Sequence, residues 1–305
     1  ARLVKPGVYE DPHGSLELDP NASYLITGGI GALGLQVAQY LATHGACHLV
    51  LTGRSGVSTD DQRSTLKALE DAGVKIEVFA ADVSNVDDVK KVISSIPNLR
   101  GIVHAAGILD DGMLMQQSPD RFIKVSGPKV SGAWNLHSQT LDRPLEFFVL
   151  FSSVASIIGS PGQSNYAAAN AFMDGLAQYR KQQGLVATAI NWGPWADVGM
   201  ASSDIVLQRL MKDGWQPMNA GQGCNFIGHL LTARDLPQAA VLPIDWGQFA
   251  SNIPGANNWS ILSHLVPKER PSPLVGNAAE LAAQRVKKAL PDQRIDPVSY
   301  THLRA

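Results

Sequence analysis

The chain has 305 residues, of which 45% are hydrophobic and 17% are charged, and its formal net charge is -2. This length suits one large domain or two small ones with ample apolar core. A charge so close to zero argues against nucleic acid or an anionic membrane surface as a partner. The longest apolar runs, such as Phe147 to Phe151, are strand-sized and too short to span a bilayer. Cys47 and Cys224 lie in no metal-ligand spacing, which predicts free thiols, no metal site and a cytoplasmic protein.

Short apolar runs alternate with helical stretches from Tyr24 onward, after a proline-rich segment over 1–20 that is predicted to be a linker. Seven strands are predicted, and the seventh follows a longer segment with helical periodicity. The predicted strands are Tyr24–Thr27, His48–Thr52, Lys75–Ala80, Gly101–His104, Glu146–Phe151, Val186–Asn191 and Ala239–Pro243. Alternation at this spacing indicates βαβ units with right-handed crossovers. The sequence therefore predicts an α/β fold of Rossmann-like type, a doubly wound parallel sheet with helices on both faces.

The alternation stops near residue 250, which places the folded domain at 21–250. The predicted helices are Leu33–His44, Thr59–Ala72, Val86–Ile96, Asp120–Leu141, Ala167–Gln183 and Asp204–Lys212. The stretch 193–215 combines glycines with apolar residues, and we expect it to be a mobile lid, the alternative being an ordinary packing helix. Residues 251–277 are rich in Pro, Asn and Ser, so 251–305 is predicted to be a linker followed by one amphipathic helix, Ala278–Leu290.

A glycine-rich turn follows the first strand. Gly29, Gly31 and Gly34 form a G-x-G-x-x-G pattern between that strand and the first helix. In dinucleotide-binding folds the first glycine permits the tight turn, the second lets the backbone approach a pyrophosphate, and the third allows close packing of helix and strand. The amide groups of the helix N-terminus then face the phosphates. The alternative is an ordinary glycine-rich turn, which the flanking strand and helix make the weaker interpretation.

Residues after the next strands indicate which dinucleotide would bind. Arg54 follows the second strand, where an arginine accommodates a 2′-phosphate, so it favours NADPH over NADH. The alternative is a solvated surface arginine. Asp82 follows the third strand and is placed to bond the adenine amino group. The small residues of His104-Ala-Ala-Gly107 leave room for a cofactor against the backbone after the fourth strand.

Candidate catalytic residues follow the fifth strand. Ser152 and Ser153 end that strand, and Tyr166 comes thirteen residues after Ser153. Asn170 stands four residues beyond Tyr166, so both lie on the same side of one helix. A tyrosine at a helix start is more often half-buried core, but the carboxyl edge of a doubly wound sheet is where ligands bind.

The chain resembles the ketoreductase domain of a modular type I polyketide synthase, a member of the short-chain dehydrogenase/reductase superfamily, over roughly residues 21–250. The resemblance depends on Thr27-Gly-Gly-Ile-Gly-Ala-Leu-Gly34, His104-Ala-Ala-Gly107, Ser152-Ser153-Val-Ala-Ser, Pro161-Gly-Gln-Ser-Asn-Tyr166-Ala-Ala-Ala-Asn170 and Asn191-Trp-Gly-Pro-Trp195. Ordinary superfamily members carry Tyr-x-x-x-Lys, whereas this chain has Asn170 at the lysine position. Polyketide ketoreductases share that exchange and supply the lysine from the preceding helix, where Lys129 matches and Lys124 is the nearest competitor.

The resemblance implies reduction by NADPH of a β-keto group on an acyl chain held by an acyl carrier protein domain, next to other synthase domains. It implies Tyr166 as general acid, with its pKa lowered by Lys129, Ser153 as hydrogen-bond donor to the ketone and Asn170 as a supporting residue. It also implies that 1–20 is the tail of a structural subdomain and that 251–305 reaches the start of a carrier domain. The full predicted cofactor set is Thr27, Gly29, Ile30, Gly31, Leu33, Gly34, Arg54, Ser55, Asp82, Val83, Ala105, Ala106 and Gly107.

Stereochemistry has a marker in this family. Leu109-Asp110-Asp111 matches the LDD motif of the B type, which is associated with the D-configured alcohol. The other residues predicted to control the substrate are Pro161, Gln163 and Asn165. For Asp110 and Asp111 the alternative is a solvated loop. For the whole chain, the alternatives are an inactive structural domain of a synthase and a freestanding alcohol dehydrogenase or NAD-binding regulator.

Overall fold

The apolar runs pair into one parallel sheet. A computed structural model describes residues 16–196, 204–232 and 236–266. Its strands are β1 Ser23–Thr27, β2 His48–Gly53, β3 Lys75–Ala80, β4 Leu99–His104, β5 Phe147–Ser153, β6 Thr188–Trp192 and β7 Gln238–Val241. They form a seven-stranded sheet in the order β3-β2-β1-β4-β5-β6-β7, and each neighbouring pair is parallel. The predicted Rossmann-like α/β fold is confirmed.

The helices occupy the connections between strands. They are α1 Ala32–Thr43, α2 Asp60–Asp71, α3 Val86–Ser95, α4 Pro119–Ser126, α5 Gly132–Ser138, α6 Ala155–Ile158, α7 Ser164–Gln182, α8 Asp204–Lys212, α9 Ala220–Thr232 and α10 Trp246–Asn252. Local signals start several of them: α2 follows a capping box made by Thr59 and Gln62, and the Asn85 side chain caps α3. Helices α8 and α9 lie in the long segment before β7, where the sequence predicted helical structure.

Successive strand residues face opposite sides of the sheet, as the pleat requires. On β1, Tyr24 and Ile26 belong to a core shared with α1, α2 and α9, whereas Leu25 belongs to a second core with α3, α5 and α7. Each strand residue named is at most 1% exposed. Burial of both faces explains why the inner strand β1 is continuously apolar rather than alternating.

The predicted helix Asp120–Leu141 is helical from Pro119 to Ser138, but it is not one uninterrupted α-helix. The chain forms α4, then a π-helical turn at Gly127–Ser131, then α5. Pro128 lies in the turn and lacks an N–H for the α-helical ladder, and the Gly132 N–H bonds the Gly127 carbonyl five residues back. Periodicity alone cannot reveal one extra residue in a helical turn, so the interruption was not predicted.

The chain divides into two compact units, Ala1–Asn252 and Ile253–Ala305. In the second unit the described residues, 253–266, form short 3₁₀ helices at Ala256–Asn258 and Ser260–Leu262. Residues 1–15 of the predicted linker, residues 197–203 of the predicted lid and the predicted helix Ala278–Leu290 lie outside the described residues. Within the described ranges, no helix is long and apolar enough to cross a membrane, and no cluster of His, Cys, Asp and Glu could hold a metal ion.

Two glycines give a matched test of this packing. A Cβ at Gly101, on β4, would lie 2.1 Å from the Phe147 ring on β5, whereas one at exposed Gly175 on α7 would meet nothing within 4 Å. Gly101→Ala should therefore destabilise the fold by about 1–3 kcal/mol, as overpacking does. Gly175→Ala should stabilise it by up to about 1 kcal/mol, because alanine is the better helix former. Urea denaturation of both variants measures the difference, and equal effects would contradict the packing.

Candidate active site

The strand order reverses between β1 and β4, which creates a crevice at their carboxyl ends. Ligands bind at such switch points in open α/β sheets. Thr27 ends β1 and pairs in register with His104, which ends β4. The Thr27 Oγ1 and His104 Nδ1 atoms are 2.6 Å apart. Burial, together with the charge of Lys129, lowers the pKa of His104 to about 3, so its imidazole is neutral. Thr27, a predicted cofactor residue, thus lies at this crevice.

The turn from β1 to α1 is too tight for side chains at its glycines. A Cβ at Gly34 would lie 2.2 Å from the Gly28 carbonyl oxygen, and one at Gly29 would lie 2.6 Å from that of Ile26. The left-handed backbone belongs to Gly28, with φ +70°, and not to Gly29, the first glycine of the predicted pattern. A Cβ at Gly28 would also lie 2.8 Å from the Ala106 backbone. Gly28 was missed because G-x-G-x-x-G spacing does not include it.

The N-terminus of α1 opens onto this turn. Gly31 is the N-cap, and no side chain caps the helix, so its first amide groups are available to an anion. A Cβ at Gly31 would lie 3.2 Å from the Gly28 carbonyl oxygen. Ile30 is buried in the core, and Leu33 packs against the same core. Their side chains therefore support the turn, and only their backbone could reach a phosphate.

The residues predicted to choose the cofactor follow β2 and β3. Arg54 and Ser55 are exposed. Asp82 accepts hydrogen bonds from the Ser84 amide at 2.9 Å and the Ser84 hydroxyl at 2.6 Å. Those bonds, with a contribution from the Arg54 charge, lower the pKa of Asp82. Val83 is buried and packs against Gly132 at the start of α5.

Lys129 is buried on the π-helical turn and directed toward Tyr166. Its Nζ donates a hydrogen bond to the Phe151 carbonyl at 2.9 Å and lies 5.1 Å from the centre of the Tyr166 ring. Gly107, the last of the predicted small residues after Ala105 and Ala106, makes room for it, because a Cβ there would lie 2.9 Å from Lys129 Cε. Burial lowers the pKa of Lys129 to about 7, and the charge of Asp174 opposes this.

Lys124, the competing lysine, lies on α4 and is placed differently. Its side chain is 59% exposed, and its Nζ donates to Asp110 Oδ2 at 3.0 Å. Of the two lysines considered from the sequence, only Lys129 is brought to Tyr166.

Ser153 ends β5 with its hydroxyl oriented by the next turn. Its Oγ accepts a hydrogen bond from the Ala155 amide at 3.2 Å. Because that bond uses a lone pair, the hydroxyl hydrogen remains available for a carbonyl oxygen. The side chain is only partly buried, so a ligand in the crevice can reach it.

Tyr166 and Asn170 lie one turn apart on α7. Burial raises the pKa of Tyr166, whereas hydrogen bonding by the Asn170 and Ser153 side chains lowers it. Lys129 is not among the described groups that lower this pKa, so the expected effect of its ammonium is not found. Asn170 Nδ2 donates to the Tyr166 carbonyl at 2.8 Å, and its buried Oδ1 has no hydrogen-bond partner in the described part of the chain.

The residues predicted to control stereochemistry form two bonded segments beside Tyr166. Gln163 Nε2 donates to Asp111 Oδ2 at 2.9 Å, and Asn165 Nδ2 donates to the Asp110 carbonyl at 2.8 Å. Leu109 packs against the small cluster that contains Tyr166. Pro161 is exposed at the start of its segment.

Asp110 does not lie in a solvated loop. Its side chain is 16% exposed, and Arg121 Nε donates to Asp110 Oδ1 at 2.7 Å. Lys124 and Arg121 together lower the pKa of Asp110. Arg121 also donates to the Asp111 carbonyl at 2.8 Å, so it fixes the loop twice. Sequence reasoning missed Arg121, whose only signal was a cation eleven residues from a carboxylate.

Comparison with known proteins gives the family. The sequence profile of the KR domain matches residues 22–197. The chain is 38% identical over 269 residues to polyketide synthase GfsA of Streptomyces halstedii, covering 87% of this chain and 4% of that protein. It is 40% identical over 234 residues to the spectinabilin polyketide synthase system protein NorB of Streptomyces orinoci, covering 74% of this chain and 11% of that protein.

Comparison with solved structures gives the same family. A structure of A-type ketoreductases from a modular polyketide synthase has a TM-score of 0.74 and 34% identity, covering 83% of this chain and 54% of the other. The first ketoreductase of the tylosin synthase has a TM-score of 0.70 and 37% identity, covering 81% and 53%. The chain thus spans about half of these structures and a small part of the curated synthases. It belongs to the KR domain family, the nicotinamide-dependent, short-chain dehydrogenase/reductase-type ketoreductases of modular polyketide synthases.

Proposed function

We propose that this domain uses NADPH to reduce the β-keto group of a polyketide intermediate, bound as a thioester to an acyl carrier protein domain. The product is a D-configured β-hydroxyacyl thioester, and the domain is of the B type. The observation that carries this proposal is the buried Lys129 Nζ, 5.1 Å from the Tyr166 ring, with the Ser153 hydroxyl lowering the pKa of the same tyrosine.

The residues around the crevice fit NADPH. The tight glycine turn lets backbone amides approach a pyrophosphate, because side chains at Gly29 and Gly34 would collide with backbone atoms. Exposed Arg54 is free to reach a 2′-phosphate, and Asp82 is held by Ser84 beside it. When bound, NADPH supplies the hydride.

The protein's own contribution is to handle the proton. As negative charge develops on the ketone oxygen, Ser153 donates a hydrogen bond to it and Tyr166 donates the proton. Burial keeps Tyr166 protonated near neutral pH, since its pKa is raised. Lys129, with a pKa of about 7, is the cation beside the ring that stabilises the phenolate left behind. Asn170, whose buried carbonyl oxygen has no partner among the described residues, supports the same site.

The B type is favoured by the Leu109-Asp110-Asp111 segment and by its bonds to Gln163 and Asn165, which set one wall beside Tyr166. In that family the A-type tryptophan would stand at position 158, which is Ile158, and the proline of epimerising variants would stand at position 168, which is Ala168. Both positions agree with a reductase that gives the D-configured alcohol.

We also infer the setting of the domain. Its relatives are far longer synthases, which favours neighbouring synthase domains and a carrier domain as partners. On this basis we propose that 21–250 is the catalytic domain, 1–20 a linker or the tail of a structural subdomain, and 251–305 a linker and the start of an acyl carrier domain. Free Cys47 and Cys224 are in keeping with a cytoplasmic location.

The decisive assay follows NADPH consumption with a β-ketoacyl thioester, then determines the configuration of the alcohol. The wild type should consume NADPH and give the D alcohol. Tyr166→Phe should lower turnover by about 10²–10⁴, the usual scale for a general acid, with little change in NADPH affinity. No reduction by the wild type would favour an inactive structural domain, and preference for a free ketone would favour a freestanding dehydrogenase.

The two lysines provide a second test. Lys129→Ala should lower turnover by about 10²-fold or more, because the cation beside Tyr166 is lost. Lys124→Ala should keep most activity, since Arg121 still holds Asp110. The protonated form of Lys129 predominates below its pKa of about 7, so wild-type turnover should fall as pH rises through that value. A silent Lys129→Ala beside an impaired Lys124→Ala would overturn the assignment.

Arg54 tests the choice of cofactor. Arg54→Asp should weaken NADPH binding by about 10- to 100-fold, the value of charge-assisted bonds to a phosphate, while NADH binding is spared. Arg63→Asp, which removes an exposed arginine of α2, is the charge-matched control. Fluorescence titration with both cofactors measures the ratio. Equal loss for NADPH and NADH would mean that Arg54 does not contact the 2′-phosphate.

A further inference from the structure

A buried carboxylate continues the functional face of α7. Asp174 follows Tyr166 and Asn170 at intervals of four residues, so the three side chains share one side of the helix. Asp174 is only 9% exposed. Buried carboxylates are uncommon unless they are paired, because desolvation penalises the charge. Its hydrogen-bond partners, Asn191 and Ser156, are neutral, so neither of them compensates its negative charge.

The first set of contacts connects Asp174 to the turn that carries Ser153. Asn191 Nδ2 donates to Asp174 Oδ1 at 3.0 Å and Oδ2 at 2.9 Å. Gln238 Nε2 donates to Asn191 Oδ1 at 3.0 Å and thereby fixes the orientation of that amide. Ser156 Oγ lies 2.6 Å from Asp174 Oδ2 and 2.8 Å from the Ser153 carbonyl oxygen. The carboxylate is therefore one hydroxyl away from the Ser153 backbone.

The second connection is electrostatic and leads to Lys129, whose Nζ lies over the Tyr166 ring, on the same side of α7 as Asp174. Burial lowers the pKa of Lys129, and among the described residues Asp174 is the acidic group that raises it. The other titratable groups that face this lysine are Tyr166 on α7, at 5.1 Å from ring centre to Nζ, and His104 at the end of β4, which burial keeps neutral. Neither of these supplies a negative charge near neutral pH.

We propose that Asp174 is a positioning residue for the reductase site. Through Ser156 and Asn191 it fixes the turn that presents the Ser153 hydroxyl, and it places a negative charge on the same side of α7 as Tyr166, which Lys129 contacts. It acts through these residues and not on the substrate. This inference rests on the function proposed above, because Ser153, Tyr166 and Lys129 have their roles there.

Asp174→Asn removes the charge with little change in shape, and the chain's kinetics with NADPH and a β-ketoacyl thioester report the effect. The Ser156 and Asn191 side chains lose their charged acceptor, so turnover should fall about tenfold. The Lys129 pKa should fall, so the loss of turnover with rising pH should begin at lower pH. KM for NADPH should be unchanged. Asp87→Asn, at an exposed aspartate of α3, is the control.

Two further variants separate the connections. Ser156→Ala keeps the charge and removes the hydroxyl, so turnover should fall while its pH dependence stays that of the wild type. The double variant Asp174→Asn with Asn191→Asp exchanges carboxylate and amide across one hydrogen-bonded pair, and it should restore the pH dependence in part. If Asp174→Asn alone does not fold, this double variant replaces it in the test.

A readout independent of turnover is the Lys129 pKa itself, measured by NMR with 13Cε-labelled lysine in the wild type and the two charge variants. A lower pKa in Asp174→Asn, recovered in the exchanged pair, supports the proposal even if the wild type reduces no thioester, which would count against the proposed function alone. An unchanged Lys129 pKa, or unchanged pH dependence with only a lower melting temperature, would overturn it.

Discussion

A lysine side chain is buried next to a tyrosine, and most of the architecture of the proposed active site follows from that arrangement. Taking the charge out of water costs several kcal/mol unless it is paired or hydrogen-bonded. The Phe151 carbonyl accepts one hydrogen bond from Lys129, and the Tyr166 ring presents its π face to the cation. Gly107 leaves the space, and His104 is neutral, so it adds no second positive charge. A side chain at position 107 would occupy the space that the Lys129 side chain uses to reach Tyr166.

Sheet topology brings these groups together from distant parts of the chain. The carboxyl ends of parallel strands meet at one edge, so the segments after β1, β4 and β5 face a common crevice. The glycine turn, the LDD segment and the Ser153 turn all follow such strand ends. Helices pack against both faces of the same sheet, so the strand ends that carry these segments are anchored in two cores.

The fold and the candidate site differ in how much the sequence could predict. Short apolar runs between helical stretches predicted each strand of the sheet to within a few residues, and the pattern is clearest for inner strands such as β1 and β5, which are buried on both faces. Tyr166, Asn170 and Ser153 could be proposed because they follow strand ends. Lys129 needed the family resemblance, since the π-helical turn that aims it inward has no signature in hydrophobic periodicity. Arg121 and Asp174 were missed because their partners lie on other elements of the chain, and only tertiary packing brings them together.

The raised pKa of Tyr166 also could not be anticipated from residue types. An ammonium nearby suggested a lowered value, but burial outweighs the hydrogen bonds from Asn170 and Ser153. The pKa values of the tyrosine and the lysine are thus shifted in opposite directions from their free values, so near pH 7 the phenol is protonated while the neighbouring lysine titrates.

The π-helical turn at Gly127–Ser131 determines how α5 is rotated about the helix axis relative to α4. An α-helix turns by about 100° per residue, so one residue fewer in this turn would rotate everything after it by that angle. Ala133 and Leu136 of α5 would then leave the core they now fill, and the Lys129 side chain would no longer point toward Tyr166. Length in this segment is therefore constrained as strictly as residue identity, and insertions or deletions there are expected to be far less tolerated than substitutions at the exposed face of α4.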